Sequence, residues 1–149
     1  MESKLHTVEQ VSGHTFDSIY DLIFTETRLI IVKILDPNDG RGKIMKSNLS
    51  SLFFGSGFSK RNVTIKRLDI ADQKREQLKN LSIDEIISDK ENCIISKYSD
   101  IVDADFSKSL LGRTINLIIN NNGNKTDFTL RPSSTQFNEI QTFLKEKNS

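Results

Sequence analysis

A chain of 149 residues with 36% hydrophobic and 28% charged side chains has enough apolar material for a core and too much to be a disordered polymer. The single cysteine, Cys93, excludes an intramolecular disulfide. The opening Met-Glu-Ser-Lys-Leu-His lacks the apolar stretch of a secretory signal, and no window reaches the ~18 to 20 apolar residues of a membrane-spanning helix, so a cytoplasmic protein is expected. A net charge of +1 conceals an uneven distribution, since residues 41 to 79 carry ten bases against three acids.

In chain order, the polar segment 1–14 gives no clear pattern and is expected to be flexible. Tyr20, Leu22 and Phe24 alternate with Ile19, Asp21 and Ile23, and an apolar run resumes at Leu29 after the turn Thr25-Glu26-Thr27, which predicts a hairpin. Leu29 to Ile34 is apolar at nearly every position, the mark of a strand covered on both faces. Turn formers follow from Asp36 to Gly42.

Met45, Leu49, Leu52 and Phe53 then recur at helical spacing, predicting an amphipathic helix over 44–54 that Gly55-Ser56-Gly57 would stop. A thin helix is expected within Asp69 to Asn80, where few apolar residues are available to bury. Ser82-Ile83-Asp84-Glu85 reads as a capping box opening a short helix that ends near Asn92.

Strand chemistry returns at Cys93-Ile94-Ile95, and Val102, Ala104 and Phe106 alternate with Asp103, Asp105 and Ser107. Ile115, Leu117 and Ile119 run into Asn121-Asn122-Gly123-Asn124, a turn tolerant of positive φ, and Phe128 and Leu130 return. After Pro132, Ser133 to Gln136 forms a second capping box, with Phe137, Ile140 and Leu144 on one helical face.

Two short segments carry a family likeness. Phe24-Thr25-Glu26-Thr27-Arg28-Leu29-Ile30-Ile31-Val32 resembles the early hairpin of prokaryotic pleckstrin-homology-like (PH-like) domains, and Ile95-Ser96-Lys97-Tyr98-Ser99-Asp100-Ile101 resembles their step into the next strand. Gly112, the 115–130 hairpin and the terminal helix are similar to that family's second half. The resemblance implies a mainly β (α+β) fold, a bent, partly closed antiparallel barrel with a C-terminal capping helix, here interrupted by a helical insertion over about 43–92. It implies one domain over 1–149 that binds lipids, peptides or proteins. Phosphoinositide-binding members cluster Lys and Arg at the first hairpin turn, whereas Thr25-Glu26-Thr27-Arg28 holds one acid and one base.

Chemistry is sparse. His6 and His14, the only histidines, lie in the polar N-terminal segment, away from any nucleophile or metal-ligand pattern. Cys93 opens an apolar strand and reads as a small core residue rather than a nucleophile. Asp103 and Asp105 read as the outward positions of a strand, Asp100 as a turn residue, and Gly55 to Lys60 lacks the ending of a phosphate loop. No catalytic, cofactor or metal site is expected. The expectation is a non-enzymatic module binding a protein or peptide. The alternative is an anionic membrane surface met through the basic insert 43–67, with Lys43, Lys46, Lys60, Arg61, Lys66 and Arg67 as its candidate residues. A third reading is an enzyme whose site is assembled only by folding. Nucleic acid is disfavoured, and an open sheet edge leaves homo-oligomers in play.

Overall fold

The computed structural model describes residues 3–14, 18–36 and 55–147. Strands β1 (Lys4–Gly13), β2 (Ile19–Thr25), β3 (Arg28–Leu35), β4 (Cys93–Lys97), β5 (Ile101–Ser109), β6 (Gly112–Asn121) and β7 (Asn124–Arg131) form a seven-stranded antiparallel sheet. Their order is β4-β3-β2-β1-β7-β6-β5. Three helices accompany the sheet among the described residues: α1 (Gly55–Lys79) and α2 (Ile83–Ser88) between β3 and β4, and α3 (Ser134–Lys147) after β7. The fold is therefore mainly β with a helical insertion. The sheet is not closed, and β4 and β5 are its two edges.

The hairpin of β2 and β3 is a wall shared by two cores. Alternation sends Leu22, Phe24, Leu29 and Ile31 to one face, where they meet Val8, Val11, Ile115, Leu117 and the α3 residues Phe137, Ile140 and Leu144. The other face presents Ile19, Ile23, Ile30, Val32 and Ile34 to Ala71 of α1 and to Ile83 and Ile86 of α2. That double burial explains why Leu29 to Ile34 reads as a continuous apolar run.

Local signals set most boundaries. The Thr25 hydroxyl accepts the Arg28 N–H at 3.1 Å and donates to the Arg28 carbonyl at 2.9 Å, closing the first turn. Asn122 and Gly123 take the positive φ values, 50° and 90°, that a two-residue hairpin turn requires. Both capping boxes are formed. The Glu85 N–H reaches the Ser82 hydroxyl at 3.2 Å and the Gln136 N–H reaches that of Ser133 at 3.3 Å, with Glu85 and Gln136 accepting in return from the cap backbones.

Four expectations change. The polar N-terminal segment, expected to be flexible, supplies β1, an inner strand flanked by β2 and β7. The helix over 44–54 lies outside the described residues, but Gly55-Ser56-Gly57 opens α1 rather than stopping a helix, and α1 runs unbroken to Lys79. Helix α2 ends at Ser88, because Asp89 leaves helical geometry and Lys90 to Asn92 turn into β4. In β5 the register shifts between Ile101 and Asp103, so Ile101 is buried while Val102, expected inward, faces solvent.

Leu117 is fully buried at the centre of β6, so Leu117→Asp is expected to abolish folding by placing an unpaired carboxylate in the core. The milder Leu117→Ala should lower unfolding free energy by about 2–5 kcal/mol, read as a fall in the urea midpoint at unchanged slope. A soluble Leu117→Asp protein of unchanged melting temperature would refute the strand assignment.

Candidate functional site

Helix α1 docks through charged residues as much as apolar ones. Arg67, Ala71, Lys74, Arg75 and Leu78 recur at helical spacing, with Ala71 and Leu78 in the second core. Arg75 grips Asp21 with a two-pronged guanidinium, Nε to Oδ2 at 2.8 Å and an Nη to Oδ1 at 2.9 Å. The same Nη donates to the Gln10 side chain at 2.6 Å, and the Gln10 N–H donates to Asp21 Oδ1 at 2.9 Å. Asp21 is buried within the sheet. The hydrogen bond to Asp21, outweighing burial, holds the Arg75 proton more firmly than usual.

The structure describes only part of the basic stretch proposed from the sequence. Lys43 and Lys46 lie outside the described residues, while Lys60, Arg61, Lys66 and Arg67 are on α1. Arg67 donates to the Asp36 carbonyl at 2.8 Å, tying the helix to the end of β3. Arg75 reaches across the second core to Asp21, with Glu9 3.8 Å from its Nε.

Cys93 donates its thiol to the Ile86 carbonyl at 3.3 Å and packs against the second core. Burial first, then the charge of Asp89, pushes the thiol from 9.0 up to about 11. The cleft beside it, about 240 Å³, mixes Lys33 and Lys74 with Glu85 and Asp89 along its wall, so no one sign of charge marks a ligand. Of the histidines, His6 stacks on Phe143 at 4.6 Å and meets Glu139 at 3.0 Å, a packing role that ties β1 to α3.

The sheet's last strand offers a different arrangement. Strand β5 pairs with β6 along one side, and among the described residues no strand pairs with its other side. Its inward side chains lean on α3: Phe106 meets the Phe137 ring edge-on at 5.7 Å, and the Lys108 ammonium sits 5.3 Å from the centre of that ring. The Ala104 N–H is taken by its own neighbour, the Asp103 carboxylate, at 3.0 Å. An amide satisfied in this way faces the open side of the strand. This edge was not among the residues singled out from the sequence, because an alternating strand looks the same in the middle of a sheet and at its rim.

No family model matches the chain, and no curated protein or solved structure matches it. Among the described residues, no helix is long and apolar enough to cross a membrane.

Two expectations test this geometry. Arg75→Met strands a buried carboxylate and should cost about 3–5 kcal/mol, part of which returns in the double variant Asp21→Asn with Arg75→Met. Strictly additive losses in a urea series would show that the two groups are not coupled. Because folding raises the Cys93 pKa, its stabilising share is whole below about 9 and is lost as pH climbs through about 11. Alkylation of the native protein by iodoacetamide should therefore stay slow at pH 8, with a thiolate fraction about a hundredfold below that of the unfolded chain. A native rate equal to that in urea would contradict the burial.

Proposed function

We propose that this chain is a non-enzymatic binding module on a PH-like scaffold, and that it binds an extended protein segment as an added strand along β5. The free edge of β5 carries the reading. Among the described residues no strand covers the outer side of this nine-residue strand, the partly buried Phe106 and the α3 ring of Phe137 lie beside it, and an added strand gains main-chain hydrogen bonds there.

Support for the scaffold comes from the antiparallel order β4-β3-β2-β1-β7-β6-β5 and the terminal helix packed on the first core. The two short motifs behind the family likeness also meet in space. The Tyr98 hydroxyl donates to the Thr25 carbonyl at 2.7 Å, and the Tyr98 N–H reaches the Thr27 carbonyl at 3.4 Å. Support for a non-catalytic role comes from how the reactive groups are spent. The Cys93 thiol is held protonated, His6 is stacked and bonded within the fold, and Asp103 and Asp105 serve Ala104 and Ser107.

A panel of extended peptides screened by amide chemical shifts tests the proposal. Binders should perturb residues 101–109 and the first turns of α3. Ala104→Pro, which removes the outward N–H that an added strand would take over from the Asp103 carboxylate, should weaken them by up to about tenfold, close to the value of one hydrogen bond. Binders whose shifts map to the Cys93 cleft, or that ignore Ala104→Pro, would overturn it.

A further inference from the structure

The turn joining β5 to β6 is made of Leu110 and Leu111, and both side chains are fully exposed, at 106% and 99%. Scattered exposed leucines are ordinary on a protein surface. A two-residue turn built from nothing else is not explained by turn chemistry, which favours Gly, Asn, Asp, Ser and Pro. This chain uses that chemistry where only a turn is needed, placing Asn122-Gly123 between β6 and β7. At the β5–β6 turn the unusual φ, +129°, is passed to Gly112, which leaves both leucines at ordinary negative φ. The Ser109 hydroxyl accepts the Leu111 N–H at 3.2 Å and donates to the Gly112 carbonyl at 3.2 Å, so the tip is braced in place.

The residues just behind the tip add a second observation. Lys108 and Arg113 lie directly opposite each other in the β5–β6 ladder, a like-charge pairing that costs stability in an isolated sheet. From 106 to 126 the sequence contains no acidic residue, and among the described residues the Lys108 ammonium meets the face of the Phe137 ring rather than a carboxylate. Two apolar side chains leading and two cations one step behind match the layers of an anionic lipid surface, hydrocarbon first and phosphate above it. Basic residues beside the tip would oppose burial of this hairpin against a second copy, whose own tip carries the same charge.

We propose that the Leu110-Leu111 tip inserts into the interface of an anionic membrane, with Lys108 and Arg113 engaging lipid phosphates. The leucine tip lies beyond the end of β5 and apart from the basic insert, and of its residues only Lys108 also belongs to the open edge of β5, so insertion of the leucines is tested separately from strand addition.

The chain contains no tryptophan, so Leu111→Trp introduces a sole indole reporter. Its emission should shift to the blue when vesicles of phosphatidylserine and phosphatidylcholine are added, and should be quenched by lipids brominated along the acyl chain. Co-sedimentation of the unaltered chain with those vesicles should exceed that with phosphatidylcholine alone and should fall between about 0.1 M and about 1 M salt. Leu110→Ser with Leu111→Ser should weaken vesicle binding by about tenfold or more. Lys108→Gln with Arg113→Gln should remove the preference for the anionic lipid. Both pairs lie at the tip of the hairpin, so a melting temperature that does not fall confirms that the variants are folded. Absence of binding at low salt would overturn the proposal. So would an unshifted indole, binding that survives loss of both leucines, or a concentration-dependent dimer that the leucine variant dissolves.

Discussion

The buried carboxylate of Asp21 under the Arg75 fork is the contact on which the other elements converge. Asp21 sits in a row with Ile19 and Ile23, on the face of β2 covered by α1, where an unpaired charge would cost far more than any single hydrogen bond returns. The guanidinium supplies two of the needed donors and the Gln10 N–H supplies a third. That third bond has a geometric consequence. Between Val8 and Val11 the register of β1 slips by one residue against β2, and Gln10 takes a φ of 62°, so Glu9 and Gln10 together oppose Asp21. The bulge turns β1, and only past it do Ser12 and Gly13 pair with β7.

The same bulge is clamped from the opposite core. The Gln136 amide, whose oxygen already caps α3, donates to the carbonyls of Glu9 at 2.6 Å and Gln10 at 3.1 Å. One irregular stretch of β1 therefore joins the insertion helix α1, the hairpin wall of β2 and the terminal helix α3. Replacing Asp21 and Arg75 by apolar residues of similar volume could hold α1 equally well, since buried ion pairs often roughly break even against such residues. It would not hold Gln10. What the pair secures is the position of the bulge, and through it the register with which the two halves of the sheet meet.

The elements legible in the sequence are those whose signal is local. The hairpins, the Asn-Gly turn and both capping boxes depend on residues within a few positions of one another, and they stand where the pattern put them. The failures share one cause, that the deciding partner is remote. Strand β1 hides because its bulge spaces Val8 and Val11 three apart, which breaks the alternation of a strand and by itself resembles a helical spacing. Helix α1 looks thin because Arg67 and Arg75 occupy its inward face and count as polar in any periodicity, although their partners are Asp36 and Asp21. Val102 looks inward until the slip beside Ile101 is known. The two proposed surfaces suffer likewise. Leu110 and Leu111 read as two more apolar residues in a strand-rich region, and only the two-residue length of the turn reveals that neither can be buried.

The two edges of the sheet are treated differently, and that contrast bears on function. Strand β4 has five residues, and its start is tied down: Cys93 bonds to α2, and the Lys33 N–H reaches the Asn92 carbonyl at 2.7 Å just before it. Strand β5 has nine, and its defence against unwanted pairing is the set of devices seen on managed edges, a bulge at Val102 and outward charges at Asp103 and Asp105. Those devices weaken indiscriminate strand addition without blocking it, because both carboxylates lie on the solvent face and would attract a segment carrying basic residues at alternate positions. Past the bulge the edge is guarded by charge, and an edge guarded in that way discriminates among incoming strands by their charge.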